Sequence, residues 1–358
     1  MKRGSICISL APGIIVGLLV LATASAAQTI KTFDVPNSTR TVPVSINLSG
    51  KITGYYFASN SDPNAEYLQS FLRQSNGVIT TFGVQLDGYT WPTRANDINS
   101  SGEIVGTFAY AMGVDRGFLR KVDGRIITFS GSGDTSSSLR ALTEPPPLTC
   151  NSIDGATATG MNAVGQITGS FGQGCLLGFL RQRDGTIVQF QVGEGWVLQQ
   201  LTVPQSINLV GQIAGYYYEQ DSVGGFLRQT DGTIVRFKVP GAVQTFAQSI
   251  NLFGQIVGNS DGHGFLRRPN GTFITFDPLG SIGTQANAIN VLGQITGFYA
   301  TADGVYHGFL RQPTGRIVSF DVPGATGGTF PADINDLGQI VGSYQDANFV
   351  LHGFIRNP

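Results

Sequence analysis

One short pattern recurs along the chain and limits its possible folds more than any other feature. Its skeleton is I-N-x-x-G-Q-I-x-G, a variable gap, G-F-L-R, and then x-x-G-x-I-x-x-F. The asparagine of this pattern occurs in seven copies, at Asn47, Asn99, Asn162, Asn208, Asn251, Asn290 and Asn335. The arginine follows in each copy, at Arg73, Arg120, Arg181, Arg228, Arg267, Arg311 and Arg356. A repeat of about 40–50 residues predicts one supersecondary unit per copy, stacked on its neighbours.

Each copy is predicted to form four short antiparallel strands. The first ends at I-N, and N-x-x-G, with Asn first and Gly fourth, is typical of a type I turn. The second strand begins at Q-I-x-G and the third is G-F-L-R. Asn-Gly or Asp-Gly pairs such as Asn76–Gly77 then predict two-residue hairpins with positive φ angles. The fourth strand, of the Thr233–Phe237 type, is rich in β-branched residues. This pattern predicts an all-β fold, a seven-bladed β-propeller.

The two ends of the chain are predicted to complete one blade. The seventh copy stops at Pro358 before its fourth strand, while Thr29–Pro36 (TIKTFDVP) matches the fourth-strand segments Thr233–Pro240 and Arg316–Pro323. An open ring would leave an unpaired strand edge, which invites aggregation. We therefore predict that the N-terminal strand closes the last blade.

The N-terminus has the pattern of a secretory signal peptide. Lys2 and Arg3 precede an apolar run, Ile14–Ala22, and Ala24-Ser25-Ala26 fits a small-residue cleavage site. We expect residues 1–26 to be removed after cleavage near Ala26. Residues 27–358 would then form a single propeller domain, secreted to the periplasm or the cell exterior.

The charge balance limits the choice of partners. The chain has 22 basic and 23 acidic residues. Near-neutrality argues against nucleic acid or an anionic membrane surface, which both require a basic footprint. No segment after the leader is long and apolar enough to span a bilayer. We expect an extracellular protein or carbohydrate partner, no membrane insertion, and a monomer.

The repeat resembles the HAF family of bacterial extracellular repeats, whose units carry Gly-Gln-Ile-Val-Gly and, before the third strand, His-Ala-Phe. GQIVG begins here at Gly254 and Gly338, and HGF at His263, His307 and His352. This chain has Gly in place of the family's Ala, and its first four copies lack the histidine. The resemblance covers all seven copies. It implies an exported repeat protein and no characterised reaction.

Strand alternation places the connections on two faces. The first-to-second and third-to-fourth turns form the turn face and are short and nearly uniform. The second-to-third loops and the repeat-to-repeat crossovers form the crossover face and vary widely in length. Rigid scaffolds with variable loops commonly carry binding sites. We therefore predict the ligand site on the crossover face.

Aromatic residues gather in these crossover-face segments and are the candidate ligand contacts. They are Trp91, Trp196, Tyr55, Tyr56, Tyr110, Tyr216, Tyr217, Tyr218, Tyr299 and Tyr344. A flat apolar ring with a polar tip suits sugar faces and protein partners. The alternative is that many of them pack between blades, since alternate strand residues point inward.

Two cysteines and three histidines are the candidates for a disulfide or a metal site. Cys150 and Cys175 both fall on the crossover face and are predicted to form a disulfide in an oxidising compartment, with a metal pair or reactive thiol as the alternative. The three histidines occupy equivalent positions in successive copies. They stand too far apart for each nitrogen to lie about 2 Å from one zinc ion, so we predict no metal site.

No catalytic motif or cofactor site is recognisable in the sequence. There is no G-x-S-x-G and no H-E-x-x-H, and we predict no catalytic residue and no cofactor. The motif arginines are expected to stack on aromatics or to pair with Asp34, Asp277 and Asp321, with an anion site as the alternative. The sequence favours a binding or scaffold protein. The alternative is a glycan-directed hydrolase or lyase whose carboxylates meet at the channel mouth, and a third is a purely structural role.

Overall fold

The computed structural model describes residues 28–59, 66–110, 114–130, 133–134, 155–172, 176–193 and 201–358. Every regular element within these ranges is a β-strand, which confirms the all-β prediction. The same ranges contain no helix long and apolar enough to cross a bilayer.

The strands follow the repeats predicted from the sequence. Repeat 1 contains β2 (Ser38–Ile46), β3 (Ile52–Ser59), β4 (Glu66–Arg73) and β5 (Ile79–Phe82), and is followed by a hairpin of β6 (Val84–Leu86) and β7 (Tyr89–Trp91). Repeat 2 contains β8 (Thr93–Ile98), β9 (Ile104–Tyr110), β10 (Val114–Arg120) and β11 (Ile126–Ser130), with β12 (Gly133–Asp134) beside β11. Repeat 3 contains β13 (Thr157–Met161), β14 (Ile167–Phe171), β15 (Leu177–Arg181) and β16 (Ile187–Phe190). Repeat 4 contains β17 (Thr202–Ile207), β18 (Ile213–Glu219), β19 (Ser222–Arg228) and β20 (Ile234–Phe237).

The remaining repeats have the same organisation. Repeat 5 contains β21 (Phe246–Ile250), β22 (Ile256–Ser260), β23 (His263–Arg267) and β24 (Phe273–Phe276). Repeat 6 contains β25 (Gly283–Ile289), β26 (Ile295–Ala300), β27 (Tyr306–Arg311) and β28 (Ile317–Phe320). Repeat 7 contains β29 (Gly328–Ile334), β30 (Ile340–Gln345) and β31 (Leu351–Asn357), and is completed by β1 (Thr29–Phe33).

Within each repeat the strands pair antiparallel in chain order, and the N-terminal strand takes the last place of repeat 7. β1 lies antiparallel to β31, with Thr29 opposite Asn357 and Phe33 opposite Gly353. The predicted pairing of the two chain ends is therefore confirmed. A single parallel bridge between Tyr306 and Gly328 links the sheets of repeats 6 and 7.

The turn that joins the first and second strands has the predicted chemistry. In repeat 1 the Gly50 N–H donates to the Asn47 carbonyl at 3.0 Å, and the Asn47 side-chain oxygen accepts from the N–H groups of Ser49 and Lys51. Gly50 has a φ of 75°, which a residue with a Cβ rarely adopts. Asn and Gly thus have separate and necessary roles in this turn.

The second hairpin of repeats 1 to 6 differs from the prediction. In repeat 1 the Gln74 N–H donates to the Val78 carbonyl and the Gly77 N–H donates to the Gln74 carbonyl, which closes a three-residue loop. Gly77 has a positive φ but Asn76 does not. The Asn76 side chain instead accepts from the Val78 N–H at 3.1 Å. The expected two-residue hairpin was wrong because the Asn or Asp caps the turn with its side chain.

A β-bulge interrupts the first strand of each repeat at the same place. In repeat 1 the register with β3 shifts between Pro43 and Ser45, and the other first strands shift at the matching residues. The partner strand has Gly54 at this point, where a Cβ would overlap the carbonyl oxygen of Val42. This close backbone approach explains the second glycine of G-Q-I-x-G. The bulge also turns two consecutive side chains, Val44 and Ser45, toward the same side.

The apolar core lies between successive repeats. One cluster joins Leu72 and Val84 of repeat 1 and its crossover to Ala95, Ile104 and Phe118 of repeat 2. The phenylalanine of every G-F-L-R segment, or of its variants, is almost fully buried in this layer. Each repeat therefore buries its apolar face only against its neighbours.

The motif arginines reinforce the same layer by stacking on aromatic rings. Arg73 lies over Phe33 of the preceding fourth strand, with 4.8 Å from the guanidinium carbon to the ring centroid. The other motif arginines lie over the corresponding phenylalanines at 4.8–5.3 Å. Of the two roles expected for these residues, stacking is the one observed.

Candidate functional site

The first strands of all repeats surround a cavity of about 150 Å³, here called the central cavity. Because of the bulge, two consecutive residues of each first strand line it. Most of these side chains are polar. They include Ser45, Asn96, Asp97, Thr159, Gln205, Ser206, Gln248, Ser249, Asn287 and Asp333.

Two carboxylates in the central cavity share one hydroxyl. The Ser45 hydroxyl oxygen lies 2.8 Å from Asp97 Oδ1 and 3.0 Å from Asp333 Oδ2. A serine hydroxyl has only one proton to donate. Either the hydroxyl proton is shared between the two carboxylates in a three-centre hydrogen bond, or one carboxyl group is protonated and donates to Ser45.

Both carboxyl groups are disposed to hold that proton. Burial raises the pKa of Asp97 to about 6, and the charge of Asp333 adds to the shift, while hydrogen bonds from Met161, Ser45 and Ile98 oppose it. Burial likewise raises the pKa of Asp333. A carboxyl group that titrates near neutrality can act as a general acid or base if substrate reaches it.

The same carboxylates also connect neighbouring repeats. Asp97 Oδ2 accepts from the Met161 N–H at 2.7 Å, and Asp333 Oδ2 accepts from the Ile46 N–H at 2.9 Å. At the equivalent position of repeat 4, the Ser206 hydroxyl accepts from the Ile250 N–H at 3.4 Å. The residue before the I-N dipeptide thus links neighbouring repeats through a backbone N–H group. The hydrogen bonds to Asp97 and Asp333 are shorter than the one to Ser206.

A second cavity, of about 470 Å³, lies at the ends of repeats 1 to 4 and is here called the crossover cavity. Its wall includes Pro92, Ala109, Asp115 and Thr157, which lie where first strands begin, second strands end and third strands begin. These strand ends belong to the crossover face. Val44, Asn96, Thr159 and Gln205 line both cavities, so the crossover cavity lies directly above the central cavity.

The wall of the crossover cavity combines polar groups with apolar surface. The Arg94 guanidinium stacks on Tyr55, with 4.6 Å from its carbon to the ring centroid. The Asn96 side-chain amide donates to the Ala158 carbonyl at 2.7 Å. This bond fixes the plane of the amide and therefore the direction of the Asn96 side-chain oxygen. Asp115 is accessible to solvent, but the protein atoms around its carboxyl partly desolvate it and raise its pKa. One cation, one anion and several amide and hydroxyl groups suit a neutral, hydroxyl-rich ligand.

An aromatic cluster lies on the same face and adjoins, along the chain, the lining residues Pro92 and Ala109. The β6–β7 hairpin holds Trp91 5.0 Å from Tyr110 and 6.0 Å from Tyr89, measured between ring centroids. The Trp91 indole N–H donates to the Leu86 carbonyl at 3.2 Å, which fixes the ring plane. The Arg116 guanidinium lies 3.9 Å from the Tyr110 ring. The structure thus brings together two of the predicted aromatics, Trp91 and Tyr110.

The Tyr110 hydroxyl is held by the same hairpin. It donates to Asp87 Oδ2 at 3.0 Å, and this hydrogen bond raises the pKa of Tyr110. The Asp87–Gly88 turn has positive φ at both residues, the geometry favoured by two-residue hairpins. The Trp91 and Tyr110 side chains, here called the platform, are therefore both held by the tip of this hairpin.

The other predicted aromatics lie elsewhere. Tyr56 packs against the core between repeats 7 and 1, while Tyr217 and Tyr299 are buried members of the cores around repeats 4 and 6. Tyr216 contacts Phe246, Tyr218 is partly exposed, and Tyr344 stacks on His352. Trp196, Cys150 and Cys175 lie outside the described residues.

The histidines pair with aspartates of the fourth-strand segments. His263 lies 2.7 Å from Asp277, His307 3.0 Å from Asp321, and His352 2.9 Å from Asp34. These are the aspartates that the arginines were expected to approach. Among the described residues no group of three or more His, Cys, Asp or Glu side chains is placed to hold a metal ion.

Several residues of the two cavities were not identified from the sequence. Ser45, Asp97 and Asp333 occupy the position before the I-N dipeptide, and Asn96 and Thr159 the position before that. Polar side chains at this point of an apolar strand are a usable signal. It was missed because strict alternation assigns neighbouring residues to opposite faces.

Comparison with protein-family models and with curated proteins finds no match. Among solved structures, virginiamycin B lyase from Staphylococcus aureus is similar with a TM-score of 0.58 and 12% identity, covering 92% of this chain and 99% of that one. A streptogramin B lyase has a TM-score of 0.57 and 12% identity over 92% and 98%. A prolyl endopeptidase matches at 0.55 and 13%, over 86% of this chain and 47% of its own. At this identity the likeness shows the fold alone: the chain is β-propeller-like.

Proposed function

We propose that this chain is a seven-bladed β-propeller that binds a carbohydrate in the crossover cavity. The observation that carries the proposal is a 470 Å³ cavity of mixed polar and apolar lining on the same face as the Trp91–Tyr110 platform, whose chain neighbours Pro92 and Ala109 line it. Ligand sites are typically clefts of about 300–1,000 Å³ with a few fixed polar groups. An aromatic ring beside such a cleft can pack against the apolar face of a sugar ring. A protein partner, the other class expected from the sequence, fits a cleft of this size less well.

The blade count is supported by hydrogen bonds between turns of successive repeats. The side-chain amide of Asn208 donates to the carbonyl of Asn251, and the same bond links repeats 3 to 4, 5 to 6, and 6 to 7. Asn335 of repeat 7 donates to the Asn47 carbonyl of repeat 1 at 3.0 Å. The Asn47 amide continues to Asn99, and Asp97 links repeat 2 to repeat 3. A chain of contacts that returns to its start is what a seven-membered ring requires.

We further propose that the protein works outside the cytoplasm, as its leader-like N-terminus and HAF-like repeats indicate. In that compartment Cys150 and Cys175 are expected to be oxidised to a disulfide. Alkylation of exported protein without reductant, followed by mass spectrometry, should label neither thiol. Labelling of both would remove the disulfide from the proposal.

The binding proposal is tested with the mature chain on a glycan and polysaccharide array, followed by calorimetric titration of any hit. Trp91→Ala and Asn96→Ala should each weaken binding about tenfold or more, because truncating an anchor at a desolvated contact commonly costs about 2 kcal/mol. Both variants should also melt lower, because Trp91 packs against the core between repeats 1 and 2 and Asn96 donates to the buried Ala158 carbonyl. Affinity is therefore measured at a temperature where the far-ultraviolet spectrum of each variant matches that of the wild type.

Matched controls separate the cavity from the rest of the crossover face. Tyr218→Ala removes a partly exposed aromatic of repeat 4, and Asp184→Ser changes the turn face; both should leave affinity unchanged. If Tyr218→Ala abolishes binding while Trp91→Ala is silent, the site lies elsewhere. If no glycan binds, the carbohydrate proposal fails.

A second candidate is a glycan-directed hydrolase or lyase. It is favoured by one observation, the Asp97 carboxyl with a pKa of about 6 below the crossover cavity. The similar structures named as lyases and an endopeptidase are compatible with an enzyme, although their identity is low. A bound glycan should then be cleaved, and Asp97→Asn should abolish turnover with little change in affinity. Unchanged glycan after prolonged incubation would exclude this candidate for that ligand.

A further inference from the structure

The tips of the N-x-x-G turns carry exposed apolar side chains around the turn-face end of the central cavity. One or both central residues of the turn are apolar in six repeats. Their most exposed members, 48 to 63% accessible, are Leu48, Val164, Val210, Phe253, Leu292 and Leu337. These six residues are here called the apolar arc.

The fold gives no internal reason for this composition. The turn is formed by the Asn side chain and by the positive φ of the Gly, and the two central side chains project away from the sheet. Repeat 2 has Ser100 and Ser101 at the same two positions and forms the same turn. Turn tips are ordinarily polar, and contiguous exposed apolar surface usually marks an interaction site.

The apolar arc is continuous because neighbouring turns are hydrogen-bonded to each other. Side-chain amides of the motif asparagines join the turns of repeats 3 through 7 in order, and then join repeat 7 to repeat 1. The arc therefore runs from Val164 to Leu48 and is interrupted only at the serines of repeat 2. Together with Leu209 and Leu252 in the same turns, it exposes on the order of 700 Å². A typical monomer's largest patch is about 300–600 Å².

We infer that the apolar arc is the interface of a face-to-face homodimer. A standard protein interface buries about 800 Å² on each partner, which the arc nearly supplies by itself. A twofold axis pairs a surface with itself. A broad arc of similar turn tips meets that requirement without a protruding element. This dimer replaces the monomer expected from the sequence.

A second copy fits the charges around the arc better than a lipid surface does. Lys31, Lys51 and Arg183 lie beside the turns of Leu48 and Val164, and Asp336 lies in the turn of Leu337. Lys121 pairs with Glu103 at 2.8 Å in repeat 2. Recognition of anionic lipid typically uses clusters of about four to eight basic groups. The few charges around the arc have both signs, which allows opposite signs to meet across a twofold axis.

The test is sedimentation equilibrium of the mature chain over a wide concentration range. A monomer–dimer equilibrium is expected. Phe253→Ser with Leu292→Ser should raise the dimer dissociation constant at least tenfold, with an unchanged circular dichroism spectrum. The matched control is Leu279→Ser with Ile282→Ser, which removes two exposed apolar residues of the crossover face and should leave the dimer intact.

A gain-of-interface variant keeps the test independent of any damage to the fold. Ser100→Leu with Ser101→Leu completes the arc in repeat 2 and should lower the dissociation constant severalfold. A wild-type chain that stays monomeric at all concentrations overturns the inference, as does a dimer unaffected by either arc variant. Co-sedimentation of the monomer with phosphatidylcholine vesicles, lost in Phe253→Ser with Leu292→Ser, would also overturn it and assign the arc to lipid.

Discussion

The turn face and the crossover face are built from the same strands but obey different constraints. On the turn face, each motif asparagine closes its own turn, and in most repeats it also donates to the backbone of the next repeat. A change there disturbs two repeats at once. On the crossover face the β6–β7 hairpin is added between repeats 1 and 2, while repeats 5 and 6 are joined by a short segment. Inter-repeat bonding thus keeps the turn face regular, while the crossover face is free to acquire a cavity.

The largest expected effect on stability comes from removing β1, the strand that completes repeat 7. Deletion of residues 29–36 leaves β31 without its partner and exposes the core around Val341 and Ile355. We expect aggregation, or a melting temperature lower by roughly 10 °C or more, since about 1 kcal/mol corresponds to 2–4 °C in a domain of 150–250 residues. Differential scanning fluorimetry and size-exclusion chromatography measure this. Unchanged melting of a soluble variant would contradict the closure.

A smaller loss of stability should distinguish the two kinds of turn on the turn face, the first-to-second turns and the third-to-fourth turns. Asn251→Ala removes the amide that reaches the Asn290 carbonyl and the oxygen that accepts from Phe253 and Gln255. Since a buried carbonyl is left without this donor, we expect a loss of about 2–3 kcal/mol in urea unfolding. Asn270→Ala, in an exposed hairpin whose side chain serves only its own turn, should cost about 1 kcal/mol or less. Equal losses would refute the special role of inter-repeat bonds.

The carboxyl groups between the two faces should make stability depend on pH. Asp97 has a folded pKa raised to about 6 from 3.8, so the folded state holds a proton that the unfolded state has lost between these values. Stability should therefore fall as pH rises from about 4 to 6, by roughly 3 kcal/mol from this group. Asp97→Asn keeps an oxygen for the Met161 N–H and should remove this dependence.

The measurement is the difference between the wild-type and Asp97→Asn urea unfolding curves at each pH. Asp303→Asn provides a control of opposite sign, because hydrogen bonds from Thr301 and Val305 lower the pKa of Asp303. That carboxylate adds stability at higher pH, which is lost as pH falls. If the difference in unfolding free energy between the wild type and Asp97→Asn does not change with pH, Asp97 does not hold the extra proton in the folded state.

The smallest effect concerns the ion pairs at the crossover-face end of repeat 7. Burial of His352 acts to lower its pKa, but the hydrogen bonds and charges of Asp34 and Asp346 outweigh it, and the net pKa is raised. The resulting stability is fully present below the unfolded pKa of about 6.5 and is lost as pH rises through the folded value. His352→Gln should cost more at pH 5.5 than at pH 9, and the difference should be less than about 1 kcal/mol.

An NMR titration of the His352 ring checks the direction of this shift. Asp346→Asn should move the pKa of His352 down by removing one of its two carboxylate partners. A titration of His352 that is indifferent to Asp346→Asn would mean that the 3.5 Å contact between the two side chains is not formed in solution.

The repeating parts of the fold could be predicted because each is encoded locally. The Asn47 turn, the four strands of each repeat and the pairing of Thr29–Phe33 with β31 all follow from residues that recur at a fixed spacing. The hairpin at Asn76–Gly77 was mistaken in detail, because the sequence does not reveal whether Asn adopts a positive φ or caps the turn with its side chain.

The candidate site was predicted less completely because it is not repeated. The face was chosen from loop lengths, but Tyr217 and Tyr299 proved to be buried, since alternation alone does not say which side of a strand meets the next repeat. Asp97, Ser45 and Asp333 come from three repeats that meet only in the assembled fold. The bulge that brings them to one side also breaks the alternation from which their direction would have been inferred.

The pairing of β1 with β31 has a consequence for the time at which the fold can form. Asn357 lies 328 positions after Thr29, and their side chains are within 3.3 Å. Closing so long a segment costs loop entropy that only late contacts recover. β1 must therefore wait, unpaired, until residues 353–357 have been synthesised. Repeats 1 to 6 can stack earlier, so we expect the slowest folding phase to be the one that docks β1.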